Sequence, residues 1–137
     1  MMLSVVMPIA RIDNYLRETL FSVASQTFKD FELIAVCDCD LNDDLQLLFQ
    51  ELSLDFNYRI IQTKLKGVAF AANLGIAESE ALYLARWDSD DLCDPHRFVR
   101  QIEEFEADKS LGVIGTKVVI VDEDGVPSDY QKFKLYK

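Results

Sequence analysis

The chain has 137 residues, 50% of them hydrophobic and 28% charged, with a formal net charge of −10. That is enough length for one domain with a buried core and too apolar a composition for disorder. The negative field disfavours nucleic acid or anionic lipid as a partner, and no apolar run is long enough to span a membrane.

Strands and helices alternate along the chain, with no internal repeat or linker. Leu3 to Met7 is an apolar, partly β-branched run closed by Pro8, which predicts a first strand rather than a signal peptide. Asp13 suits a helix N-cap, and Leu16, Leu20 and Val23 recur at helical spacing to about Gln26. Phe31 to Cys37 predicts a second strand. Asn42 is placed to cap a second helix with Leu45, Leu48 and Leu52 as its apolar stripe. Tyr58 to Gln62 predicts a third strand. Gly67 opens a third helix, with Val68, Ala71, Ala72 and Ile76 expected to face inward. Gly75 inside that helix costs about 1 kcal/mol relative to Ala, which close packing or ligand approach would explain. Ala81 to Trp87 predicts a fourth strand. Pro95 suits the first turn of a fourth helix carrying Phe98, Ile102 and Phe105. Val113 to Val121 predicts a last strand, and Asp122-Glu123-Asp124-Gly125 a turn.

The fourth strand runs into Trp87-Asp88-Ser89-Asp90-Asp91. Acids this close are costly together unless a cation or a donor-rich ligand is near. Hard cations such as Mg²⁺ or Mn²⁺ take one or two carboxylates and complete their shell with substrate phosphates. A solvated acidic turn is the plainer alternative. The alternation argues for a parallel α/β sheet with helices on both faces, in which ligands bind beyond the carboxyl ends of the strands. Those ends carry Pro8-Ile9-Ala10-Arg11, Cys37-Asp38 and Asp88-Ser89-Asp90-Asp91, so the acids share one edge. Lys66 and Arg86 are candidates for approaching a diphosphate, helped by the helix N-terminus near Gly67. A solvated loop is the bland reading of Lys64 and Lys66, and an ion pair with neighbouring acids that of Arg86. Trp87 is expected in the core. Cys37, Cys39, Cys93 and His96 are four potential zinc ligands, although the first spacing is tight for zinc. An odd cysteine count without a leader points to free thiols in a reducing, cytoplasmic compartment, which includes the inner face of a membrane.

Several spaced motifs carry a family resemblance. They are Ser4-Val5-Val6-Met7-Pro8-Ile9, Tyr15-Leu16-Arg17-Glu18, and Ser22-Val23-x-x-Gln26-Thr27-Phe28-x-Asp30-Phe31-Glu32-Leu33. Gly67 with Asn73-x-Gly75-Ile76, Asp88-x-Asp90-Asp91, and Pro95-x-Arg97-Phe98 with Gln101 follow in order. Over Leu3 to Val121 the chain resembles the donor-binding part of a family 2 glycosyltransferase of the Rossmann-like GT-A fold. The resemblance implies inverting transfer of a sugar from a nucleotide-diphosphate donor to a saccharide or lipid-linked acceptor, with Mg²⁺ or Mn²⁺ on the leaving diphosphate. The expected nucleotide-sugar site is then Pro8, Ala10, Asp38, Lys66, Asn73, Arg86, Asp88 and Asp90, with Asp38 toward the base by position and Lys66 and Arg86 included for their chemistry. Asp90 and Asp91 serve ribose and metal, and Asp88 supports the turn. Bacterial surface polysaccharide synthesis is the setting it suggests.

The chain departs from the family pattern at Ala10-Arg11, where the family has Tyr-Asn, and at Cys37-Asp38, where it has Asp-Asp. Both changes bear on the nucleotide pocket. Residues 1–137 read as a single donor-binding domain without the acceptor half, and a truncated sheet favours self-association. No acid, Asp122, Glu123, Asp124 and Asp129 included, sits in a recognisable base motif. A nucleotide-sugar-binding module without catalysis is the alternative. A phosphoacceptor domain fits less well, because Lys117 lies inside a strand run rather than after one.

Overall fold

In the computed structural model, which describes residues 1–127 and only the backbone of Asp38 and Cys39, apolar runs become strands and amphipathic runs helices. The elements are β1 (Leu3–Ile9), α1 (Asn14–Ala24), β2 (Phe31–Asp38), α2 (Asn42–Leu52), β3 (Asn57–Thr63), α3 (Val68–Ala77), β4 (Tyr83–Arg86) and α4 (Arg97–Ala107). The four strands are parallel, in the order β3-β2-β1-β4. The chain steps outward from β1 to β3, then α3 returns it to the other side of β1. Strand order therefore reverses between β1 and β4, where open α/β sheets bind their ligands.

The two sheet faces are packed differently. Odd-numbered residues of β1 and β2, among them Val5, Met7, Leu33 and Ala35, meet Leu16, Leu20 and Val23 of α1 and Leu45 and Phe49 of α2. Trp87 and Phe98 complete this core edge to face, with ring centroids 5.5 Å apart. Such pairs add about 0.5–1.5 kcal/mol to the burial of the rings. On the other face, Ile34 and Val36 pack under Ala71 of α3. Gly75 explains how close that helix sits: a Cβ there would lie 2.5 Å from Val6 Cγ1 and 3.1 Å from Val36 Cγ2. Close packing, one of the two reasons anticipated for this glycine, holds.

Asp13 caps α1 as expected, its carboxylate accepting the Leu16 amide at 3.0 Å. Pro8 does not close β1; the strand runs through it to Ile9, with Pro8 opposite Val36 of β2. The Val6 carbonyl accepts the Trp87 amide on the β4 side, so Pro8, two residues on, faces the same side. There β4 has already ended, and no partner misses the absent N–H. Asn42 is the first residue of α2, not its cap. A 3₁₀ turn, Cys39–Leu41, leads directly into the helix, and the Asn42 amide instead donates to Asp43 Oδ1 at 3.2 Å. Pro95 lies in the turn ahead of α4, two residues before its start. The inward face of α3 is Ala71 and Gly75, not Val68 and Ile76, which are 56% and 46% exposed. Its sequence is apolar all round, so period alone did not mark the side the sheet would take.

Residues 1–103 form one compact unit and those from Glu104 onward a second. In the second, Asp122 to Gly125 make the expected turn, the Gly125 amide donating to the Asp122 carbonyl at 3.0 Å. The predicted strand over Val113 to Val121 is not formed. Among the described residues its only pairing is one antiparallel bridge, Val121 to Pro127. β-Branched residues favour a pleated surface, but a strand exists only where a ladder partner does. Asp129 lies outside the described residues.

Candidate functional site

At the carboxyl edge of the sheet, the ends of β1 and β4 and the loop after β3 enclose a cleft of about 480 Å³. Pro8, Ile9 and Ala10 form its floor with Val36 and Cys37 of β2. Thr63, Leu65 and Lys66 follow β3 along one wall, which continues into Gly67, Val68 and Ala71 of α3. Arg86, Asp88, Ser89 and Asp90 form the opposite wall. Gly67 makes the corner at which α3 begins, with φ at +119°, a value side-chain-bearing residues rarely adopt. No side chain caps that helix end.

Six of the residues singled out in the sequence therefore line one space: Pro8, Ala10, Lys66, Arg86, Asp88 and Asp90. Asp38 ends β2 opposite Thr63, while its side chain lies outside the described residues. Asn73 is exposed on α3 and does not line the cleft. Asp91, next along the turn from Asp90, is likewise not among the lining residues. Ile9 and Cys37 lie at the strand ends expected to edge the site, whereas Val36, Thr63 and Leu65 joined the lining only with the fold, because nothing in their local pattern marks them. Arg11, one of the departures from the family pattern, turns to Asp13, with Nε 2.8 Å from Oδ2.

The turn itself is Asp88 to Asp91, closed by the Asp91 amide on the Asp88 carbonyl at 3.2 Å. Arg86 Nη2 donates to Asp88 Oδ1 at 2.9 Å. This is the ion pair anticipated for Arg86, and it leaves the arginine on the cleft wall. Partial burial pushes the Asp91 carboxyl above its ordinary range, and the charges of Asp88 and Asp90 push it further. Arg97 and Arg86 oppose the rise without cancelling it. Trp87 is buried, as expected, and its indole N–H donates to the Asp91 carbonyl at 3.0 Å. Arg97 lies over the Trp87 ring, 5.3 Å from its centre, and donates to the Cys93 thiol at 3.0 Å. Burial raises that thiol's pKa. His96 Nδ1 lies 3.3 Å from Asp94 Oδ1.

Among the described residues, no three His, Cys, Asp or Glu side chains converge as a ready-made metal group. The donor set at the turn nonetheless fits a hard cation of the Mg²⁺ kind. Such an ion needs only one or two carboxylates when phosphate oxygens supply further ligands. No helix among the described residues is long and apolar enough to cross a membrane.

Comparison with known proteins bears on the family and the fold. A family model described as "Glycosyl transferase family 2" matches residues 4–136. The chain is 33% identical over 126 residues to EpsE of Bacillus subtilis, assigned as a glycosyltransferase, covering 90% of the chain and 45% of EpsE. It is 30% identical over 125 residues to the O-antigen biosynthesis glycosyltransferase WbnJ of Escherichia coli, covering 90% of the chain and 49% of WbnJ. The chain thus spans about half the length of these relatives. The crystal structure of S. aureus TarS superposes with a TM-score of 0.69 at 24% identity, covering 78% of this chain and 33% of TarS. TarS has also been crystallised with UDP and with UDP-GlcNAc.

Proposed function

The chain belongs to glycosyl transferase family 2, and on that premise we propose that its cleft binds the nucleotide diphosphate of a sugar donor for an inverting transfer. The observation that carries the reading is the lining of the cleft. Two carboxylates, Asp88 and Asp90, and two basic residues, Lys66 and Arg86, line one cleft at the strand-order reversal. Asp90 and Asp91 are the residues we assign to a divalent cation, Mg²⁺ or Mn²⁺. When bound, that cation would neutralise the charge that develops on the departing diphosphate.

The chain's own residues divide the remaining work. Asp88 is held by Arg86 and stiffens the turn. Lys66 and Arg86 bring positive charge to the diphosphate, supported by the uncapped start of α3 at Gly67. The nucleoside lies toward Asp38, over Ala10 and Cys37. With no aromatic ring at Ala10, the apolar side chains of Leu65 and Val68 are the surface left for a base to pack against. Pro8 shapes the floor, and Asn73 is the one proposed contact that a bound donor would have to approach from outside the present lining. The acceptor we propose is a saccharide or a lipid-linked sugar, in keeping with WbnJ, whose name assigns it to O-antigen biosynthesis. No residue of this chain is assigned as the base.

A thermal shift tests the donor site. UDP with Mn²⁺ at a hundred times its dissociation constant should stabilise the fold by about 2.7 kcal/mol, and UDP alone by much less. Equal shifts with and without Mn²⁺ would refute the cation, and no shift with any nucleoside diphosphate would refute the site.

A further inference from the structure

We propose that a row of polar side chains along α1 and just beyond it, Thr19, Ser22, Gln26 and Thr27, positions the acidic turn to take its cation. The inference rests on the reading of Asp88 to Asp91 as a cation–diphosphate site. It adds a role for residues that touch neither cation nor donor.

The row closes on the loop after β4 in register. Thr19 donates to the Asp91 carbonyl at 3.0 Å. Ser22 donates to the Cys93 carbonyl at 3.2 Å and accepts the Cys93 amide at 2.9 Å. Gln26 donates to the Asp94 carbonyl at 2.8 Å and accepts the Phe98 amide at 3.2 Å. Thr27 meets the Pro95 carbonyl through its amide, at 2.9 Å. Helical spacing makes this fit: Thr19 and Ser22 are three apart, and Gln26 follows four later.

Thr19 and Gln26 are fully buried. Packing alone would be met there by apolar residues of the same size. Hydroxyl and amide groups are needed because the loop's backbone polar atoms turn inward and have no ladder to join. The Asp91 carbonyl is held twice, by Thr19 and by the Trp87 indole. Asp88, Asp90 and Asp91 fall within four residues of one turn, and like charges so close repel one another. A free turn would relieve that repulsion by spreading. Anchored from behind at Asp91, Cys93 and Asp94, the turn keeps its carboxylates close, ready for a cation that could not gather them cheaply from a mobile loop.

The test is the affinity for UDP, with and without Mn²⁺, measured by titration calorimetry well below the melting temperature. Thr19→Val keeps the shape and removes one donor, and Ser22→Ala removes the next anchor. Each should weaken UDP binding in Mn²⁺ by about tenfold, the lower end for losing an outer partner of a metal ligand. UDP binding without Mn²⁺ should not change, and Thr19→Ser should restore the wild-type value. A purely structural role would lower the melting temperature and leave the affinity of the folded protein alone. If Asp90→Ala abolishes Mn²⁺-dependent binding while Thr19→Val and Ser22→Ala both keep it, the positioning role is wrong and the cleft reading stands. If the wild type shows no Mn²⁺-dependent UDP binding, both fall.

Discussion

The two ends of the sheet both gather charge, and they settle it differently. At the amino end, Glu32 of β2 accepts Ser4 Oγ at 2.9 Å and Arg59 Nε at 3.0 Å. Arg59 in turn reaches the Glu78 carbonyl at 2.8 Å. Acid and base there satisfy one another within the fold. At the carboxyl end, Asp88 has Arg86, but Asp90 and Asp91 crowd the same turn and the Asp91 carboxyl is pushed up. Charge closed on itself is structure; carboxylates crowded beside a cleft are what the proposed cation would relieve.

The sharpest way to break this contrast is to remove an acid from each end. Asp90→Ala should cost roughly a hundredfold or more in Mn²⁺-dependent UDP affinity, since even outer partners of a metal ligand cost ten- to a hundredfold. Glu32→Gln should leave that affinity unchanged. Calorimetric titration of both variants decides it, and equal losses would erase the distinction between the ends.

A smaller effect runs the other way. Arg59→Ala leaves Glu32, among the described residues, with Ser4 and should destabilise the fold by about 1 kcal/mol, given the partial exposure of the pair. Urea unfolding measures this, and UDP affinity should not follow it.

The smallest effect is a change in pH dependence at Asp91. Its carboxyl is raised in the fold, so the folded state holds this proton more tightly than the unfolded chain. Without metal, stability should therefore fall as pH rises from the ordinary Asp range through the raised value, and the penalty should persist above it. Asp91→Asn should remove that part of the pH profile. Mn²⁺ needs the charged form, so wild-type UDP binding in Mn²⁺ should weaken as pH drops through the same window. A urea midpoint for Asp91→Asn that tracks wild type at every pH would show that the acids do not strain the turn.

Much of this was legible in residue order. The strand–helix alternation, the Asp13 cap and the burial of Trp87 all follow from local chemistry that the neighbouring residues state by themselves. So does the acidic turn, because three carboxylates after an apolar run stand out at any level of description. The failures share one cause. Pro8 reads as a strand terminator until the short reach of β4 removes the need for its N–H. Val113 to Val121 reads as a strand by composition, yet no ladder partner comes to it among the described residues. An α3 apolar but for Asn73 does not say which side it will bury.

By itself, then, the sequence determined the family, the order of elements and the place of the acids, since periodicity, capping and charge spacing act between residues a few positions apart. Only the tertiary structure decided which residues share the cleft. Thr63, Leu65 and Lys66 line one cleft with the acids because strand order reverses at β1, which brings segments about twenty residues apart to one edge. The same long-range packing set Thr19, Ser22 and Gln26 against a loop some seventy residues later. A buried hydroxyl or amide in a helix carries no sign in sequence of which distant carbonyl it is there to hold.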